Sequence, residues 1–182
     1  MRMNFRVAVM ALGLATAALP AFAQTMVGGA TMSPTKDIIE NAVNSKDHTT
    51  LVAAIKAAGL VDTLKGKGPF TVFAPTNEAF AALPAGTVDT LLKPENKATL
   101  VKILTYHVVA GKVLAADLVK AITADKGKYS IKTLEGGTLV ASMSGKNVIL
   151  TDEKGGTSTV TIPDVIQSNG VIHVVDKVLM PK

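Results

Sequence analysis

Between Tyr129 and Ile162 the chain runs YSIKTL, TLVASM, VILTD and TSTVTI, separated by EGG, SGKN and EKGG. Apolar and polar residues alternate in each run, and each break is rich in Gly. Alternation with a period of two places every second side chain on one face of a strand, and tight Gly turns return the chain antiparallel to itself. This stretch is therefore a series of β-hairpins. Such a sheet is apolar on one face and needs a cover. The cover has to come from the residues before it.

Those residues have helical spacing. In DHTTLVAAIKAAGLVDTL, Leu51, Ile55 and Ala58 share a face with Val52 beside them; Asp47 or Thr49 is placed to cap the helix and Gly59 to end it. In PENKATLVKILTYHVV, Leu100 and Leu104 share a face with His107 and Val108, while Lys97, Lys102 and Thr105 point away. Shorter helical pieces run from Glu78 to Leu83, in AGTVDTLLK and in AADLVKAI. One strand comes early, Phe70 to Phe73, and one late, Val171 to Val175, entered through the Asn169-Gly170 turn. Helices in front and hairpins behind give an α+β class, with no internal repeat.

Residues 1–23 carry a different signal. Arg2 and Arg6 precede an apolar run from Val7 to Leu19, then Pro20 and the small-x-small triplet Ala21-Phe22-Ala23. This is the layout of a signal peptide cleaved after Ala23, and a run shorter than the about 20 residues of a membrane span. Residues 24–35 are small, Gly-containing and unpatterned, and are expected to be a flexible leader. Residues 36–182 form one domain, with no membrane span in the mature chain. A secreted or periplasmic location follows. Cysteine is absent, so the core alone must hold the domain, and thiol nucleophiles and thiolate metal sites are excluded. The formal charge is +5; without Arg2 and Arg6 the balance is 17 Lys+Arg against 14 Asp+Glu, or +3. The lysines are scattered, so no nucleic-acid footprint is expected.

Three segments resemble the fasciclin domain family. TVFAPTNEAF (Thr71 to Phe80) is similar to its first signature, LTYHVVAGKV (Leu104 to Val113) to its Tyr-His segment, and GVIHVVDKVLMP (Gly170 to Pro181) to its second signature. The resemblance implies a β-wedge or sandwich with a layer of short helices packed on it. It also implies a non-enzymatic extracellular binding or adhesion module, secreted or surface-associated in bacteria. Its partner would be a cell-surface or extracellular-matrix protein or polysaccharide. In animal members the Tyr-His segment and an Asp-aliphatic pair are linked to integrin binding; the matching positions are Tyr106-His107 and Asp164-Val165, with Val165 where isoleucine is frequent.

The residues themselves allow other readings. Thr76 or Asn77 suits the cap of the helix after the Phe70 strand, with Glu78 in its first turn. His107, on an apolar face, reads as a neutral core histidine; as a general base beside Asp117 or Asp164 it would make the chain an exported hydrolase. An envelope scaffolding or stress protein is the third alternative. His173 is expected to make a hydrogen bond within the sheet or near Asp176, and His48 to be solvent exposed. The three histidines lack metal-ligand spacing, and no cofactor motif appears; neither metal nor cofactor is expected. Tyr106 and Asp164 are the residues expected at a binding surface, Tyr106 for its polar tip and Asp164 for a solvated position after Pro163.

Overall fold

The computed structural model describes residues 25–182. Two short strands, β1 (Met26–Val27) and β2 (Ala30–Thr31), open the chain. Helices α1 (Ile38–Ala42), α2 (Thr49–Ala58) and α3 (Val61–Lys65) lead to strand β3 (Phe70–Pro75). Helices α4 (Asn77–Ala81), α5 (Thr87–Leu91) and α6 (Lys97–Tyr106) precede β4 (Val108–Ala110) and α7 (Ala115–Ala124). Five strands close the fold: β5 (Lys128–Lys132), β6 (Thr138–Ser144), β7 (Asn147–Thr151), β8 (Thr157–Gln167) and β9 (Gly170–Val175).

The main sheet has the order β4-β3-β9-β8-β7-β6-β5. Only β3 and β9 run parallel, joined by most of the chain; the other neighbours are antiparallel. The long strand β8 is the hinge of the sheet. Thr157 to Thr159 pair with β7, and Val160 to Gln167 pair with β9, with register shifts between Val160 and Ile162 and between Ile162 and Val165. Bulges bend a strand and increase its twist. The bend lets the β5–β7 half share one apolar cluster with β3 and β9, in which Phe73 and Val175 meet Leu139, Leu150 and α7's Leu118. On the opposite face Val72, Ala74, Ile172 and Val174 join Ile38, Leu51, Ile55, Leu100 and Leu104 of the helices. Strand β9 is buried on both faces, which is why GVIHVV does not alternate as the hairpins do. The α+β class and the wedge with helices packed on it are as the sequence indicated.

Three local expectations fail for identifiable reasons. The segment read as a flexible leader contains the β1–β2 hairpin, and its Val27 and Met32 are buried in the helical core. Gly28 and Gly29 both have positive φ, 57° and 75°, as a two-residue hairpin turn requires. The pattern was too short to show as alternation. The helix through 94–109 stops at Tyr106; Val108–Ala110 is instead an edge strand on β3, started by the Phe73 N–H donating to the His107 carbonyl at 2.9 Å. Neither Asp47 nor Thr49 caps α2. The cap is remote: Asn77 Oδ1 accepts from the Thr50 N–H at 3.0 Å and the Thr49 hydroxyl at 3.1 Å, while Asn77 Nδ2 donates to the Lys46 carbonyl at 2.7 Å. The signal-peptide segment lies outside the described residues. Among the described residues no helix is long and apolar enough to cross a membrane.

Candidate functional site

The polar corner after β3 is a helix start. Thr76 takes extended backbone and its hydroxyl accepts from the Ala79 N–H at 3.2 Å, capping α4. Asn77 is engaged with α2, as above. Neither side chain is free to meet a partner.

Tyr106 and His107 sit where α6 ends, and both are interior. Tyr106 is 0 % exposed, against the expectation of a surface aromatic. Its hydroxyl donates to the Thr138 carbonyl at 2.8 Å and accepts from the Glu153 N–H at 3.2 Å. Burial pushes the phenol up to about 12, so it remains a donor. A Cβ on Gly137 would stand 2.8 Å from the ring's Cε2, so only glycine lets β6 begin over this tyrosine.

His107 is held at both nitrogens by backbone. Nε2 accepts from the Leu179 N–H at 2.9 Å, which leaves the proton on Nδ1, donated to the Ile103 carbonyl at 2.8 Å. Burial, the largest influence, lowers its pKa to about 4 against the raising effect of the Ile103 carbonyl and of Asp152. The imidazole is neutral and has no free nitrogen to accept a substrate proton. His107 belongs to a clamp on the C-terminal peptide. The Lys177 N–H donates to Ser158 Oγ at 3.0 Å, the Met180 N–H to Asp152 Oδ2 at 3.0 Å and the Lys182 N–H to Glu153 Oε2 at 3.4 Å. Asp152 also accepts from Lys154 and Gly156 N–H groups, a turn carboxylate fully used by backbone.

Asp164 and Val165 lie in the bend of β8, not beyond the strand's end. Val165 is 1 % exposed and packs in the helical core. Asp164 is half-buried, with φ at 55°, a left-handed conformation that Asp and Asn tolerate better than other L residues. Two bonds hold it. Its N–H donates to His173 Nδ1 at 3.2 Å, and its Oδ1 accepts from the Ala115 N–H at 2.7 Å at the start of α7. His173, fully buried and stacked on Phe73 at 5.6 Å, completes the chain of contacts by donating from Nε2 to the Val113 carbonyl at 2.7 Å. Burial lowers its pKa, with the Val113 carbonyl and Asp164 acting the other way. Its partners are thus Asp164 and Val113. Asp176 instead accepts from Ser158 and Thr159. The structure brings Asp164 to His173, and Tyr106-His107 to the C-terminal clamp; no hydrogen bond joins the two groups.

His48 overturns its expectation. It is 3 % exposed, and its Nδ1 lies 2.9 Å from Ser45 Oγ while its Nε2 is buried and makes no bond of good hydrogen-bond geometry. Burial lowers its pKa, opposed by the Ala74 carbonyl and Asp47. Asn169, read only as a turn residue, is a buried tie: Oδ1 accepts from the Ile38 N–H at 3.1 Å, and Nδ2 donates to the Leu64 and Gly66 carbonyls at 2.6 and 3.0 Å. Distant backbone partners of this kind leave no trace in local sequence. Among the described residues no cluster of His, Asp and Glu is arranged to hold a metal.

A family model described as the fasciclin domain matches residues 46–181, and the chain belongs to that family. It is 46 % identical over 175 residues to Protein sll1483 of Synechocystis sp., a match covering 94 % of this chain and 90 % of that protein. To Immunogenic protein MPB70 of Mycobacterium bovis it is 38 % identical over 145 residues, 77 % of this chain and 66 % of the relative. The fold is similar to that of a FAS1 domain pair from the insect cell adhesion molecule Fasciclin I. The TM-score is 0.69 with 19 % identity, covering 80 % of this chain and 51 % of that one.

Proposed function

We propose that this protein is an exported, non-enzymatic binding module that recognises a protein or polysaccharide of the cell surface or matrix through the outer side of the β8 bend. The observation that carries the reading is the pinned but partly open position of Asp164. Its backbone and one carboxylate oxygen are fixed by β9 and α7, while Pro163 and Ile166 beside it are exposed, Ile166 by 42 %. A charge and an apolar side chain on a rigid strand form a ready contact patch. The absence of catalysis is supported by His107 and His173, whose ring nitrogens are all bonded to backbone groups. The cell adhesion molecule with a similar fold points to the same class of partner.

The test is binding of the purified chain to immobilised envelope and matrix polymers, compared among Asp164→Asn, Ile166→Ser and Thr76→Ala. Asparagine keeps the left-handed backbone available, whereas alanine would confound binding with strain. Asp164→Asn and Ile166→Ser are expected to weaken binding at unchanged thermal midpoint, and Thr76→Ala to lower the midpoint with binding retained. Wild-type affinity in both of the first two variants contradicts the assignment of the surface.

A further inference from the structure

The main sheet has two edges, β4 and β5, and they meet at one point. The Val108 carbonyl of β4 accepts from the Leu134 N–H at 2.8 Å, just past the end of β5, and no further backbone bond joins the two strands among the described residues. The body of β5, Lys128–Lys132, is left as an edge. Its pairing with β6 fixes which of its groups point outward. The Thr133 N–H donates to the Gly137 carbonyl at 3.0 Å, one step beyond the Lys132–Thr138 pair. Bonded and non-bonded pairs alternate along an antiparallel ladder. Ile131 and Tyr129 therefore bond inward to β6, and Lys132, Ser130 and Lys128 turn their N–H and C=O groups outward. The Lys128 N–H is used by the Asp125 carbonyl at 3.3 Å. Ser130 and Lys132 have no main-chain partner on this outer side among the described hydrogen bonds, and the side chains of all three are exposed.

We propose that β5 is a docking edge for an extended acidic segment of another protein, which adds one strand to the sheet. Lys126, Lys128 and Lys132 fall in a stretch, 126–132, that contains no Asp or Glu, and none of the three is in an ion pair among the described residues. Lys128 and Lys132 flank Ser130 on the outer face of the sheet. Acidic side chains four residues apart on an added strand would stand directly opposite them, and opposite charges in such cross-strand pairs are stabilising. On the other face Tyr129 is only half-buried and offers an apolar bed to the residues between. The segment that fits alternates acidic or polar residues with apolar ones, and its main chain completes the ladder at Ser130 and Lys132.

Other occupants fit this edge less well. A second copy paired antiparallel about Ser130 would set Lys128 against the partner copy's lysine at position 132, and the reverse, and like charges directly opposite are destabilising. Residues 1–24 of the chain carry Arg2 and Arg6 and no acid, so they repeat the charge of the edge. An anionic polysaccharide neutralises lysines but does not present donors and acceptors at the spacing of a strand. Edge lysines commonly guard a sheet against its own kind; here the same charges select an acidic strand. Strands β6 and β7 lie between this edge and β8, so this assignment and that of the β8 bend can each fail without the other.

The experiment titrates the full chain with a short peptide of alternating Thr and Val that carries two glutamates four residues apart. The comparison probes are the same peptide with lysine for glutamate, the same peptide with proline midway between the glutamates, and polygalacturonate. Amide spectra report binding and hydrogen exchange reports the ladder. The glutamate peptide is expected to shift the Ser130 and Lys132 amides saturably and to slow their exchange by about tenfold or more. The proline peptide keeps the charge but lacks the ladder N–H, and is expected to bind about tenfold more weakly. Lys128→Glu combined with Lys132→Glu should reverse the preference in favour of the lysine peptide; if that variant does not fold, the wild-type titrations still decide. Asp164→Asn should leave the peptide titration unchanged. Any of four results overturns the proposal: no saturable shift, equal binding of the lysine or proline peptide, polygalacturonate binding more tightly without amide protection, or loss of peptide binding in Asp164→Asn. Protection of Ser130 and Lys132 that rises with protein concentration alone would assign the edge to self-pairing and overturn it as well.

Discussion

The two ends of the described chain are attached in opposite ways. At the C-terminus, residues 177–182 leave the β ladder, yet Lys177, Leu179, Met180 and Lys182 each donate a backbone N–H to a side chain: Ser158, His107, Asp152 and Glu153. At the N-terminus the β1–β2 hairpin pairs mainly with itself and rests on two buried side chains, Val27 and Met32. Among the described residues its ties to the body are only at its turn, where Lys46 donates to Gly28, and at its exit, where Ser33 exchanges two bonds with Asn41. The C-terminal peptide is bonded into the interior by acceptors drawn from α6, β8 and the β7–β8 turn. The hairpin is a cover on an apolar surface. The histidines follow the same division: His107 is satisfied at both nitrogens, and His48 at one. Polar fixation makes a segment as stable as the whole fold, whereas apolar contact with few hydrogen bonds allows it to open alone.

The strongest challenge to this contrast is His107→Ala. It strands the Ile103 carbonyl and the Leu179 N–H and leaves a void, for an expected loss of about 3 kcal/mol. Urea unfolding with an unchanged midpoint would show that the clamp does not hold the fold. Acid should act on the same residue. An unfolded histidine takes up its proton as pH falls below about 6.5, but folded His107 does so only near 4, so protonation favours the unfolded chain. This contribution is fully present above pH 6.5, declines as pH falls and is gone below 4, a change of about 3 kcal/mol. The lowered pKa values of His48 and His173 add in the same direction. Urea midpoints measured from pH 7 to pH 4 should fall, and fall less steeply in His107→Gln. A smaller effect is expected at Asn77, whose amide caps α2 from another helix; Asn77→Ala should cost about 1 kcal/mol, read as a thermal shift, with Thr76→Ala similar.

Periodic features were legible in the sequence. The hairpins from Tyr129 onward, the buried β9, the amphipathic α2 and α6 and the Thr76 cap follow from local pattern, and the signature segments indicated the family. The remote ties were not. Asn77 caps a helix that begins 28 residues earlier, Asn169 reaches Ile38 across 131 residues, and Asp164 reaches the start of α7 across 49. These depend on tertiary placement and have no fixed spacing to read. Tyr106 illustrates the error this produces. A tyrosine with a polar tip suits a surface, but here Thr138 and Glu153 meet that tip inside the fold. His48 beside Asp47 has the local pattern of a solvated helix start, and the hairpin that buries it packs there from a segment some 20 residues earlier.

Hydrogen exchange of individual backbone amides tests the contrast between the two ends most directly. The Leu179 and Met180 amides, donated to His107 and Asp152, are expected to exchange only when the whole domain unfolds, with the same denaturant dependence as core β9 amides. The Lys46 amide, donated to Gly28 of the hairpin, is expected to exchange faster through a local opening that responds little to denaturant. Equal protection of Lys46 and Leu179, or faster exchange at Leu179, contradicts the account.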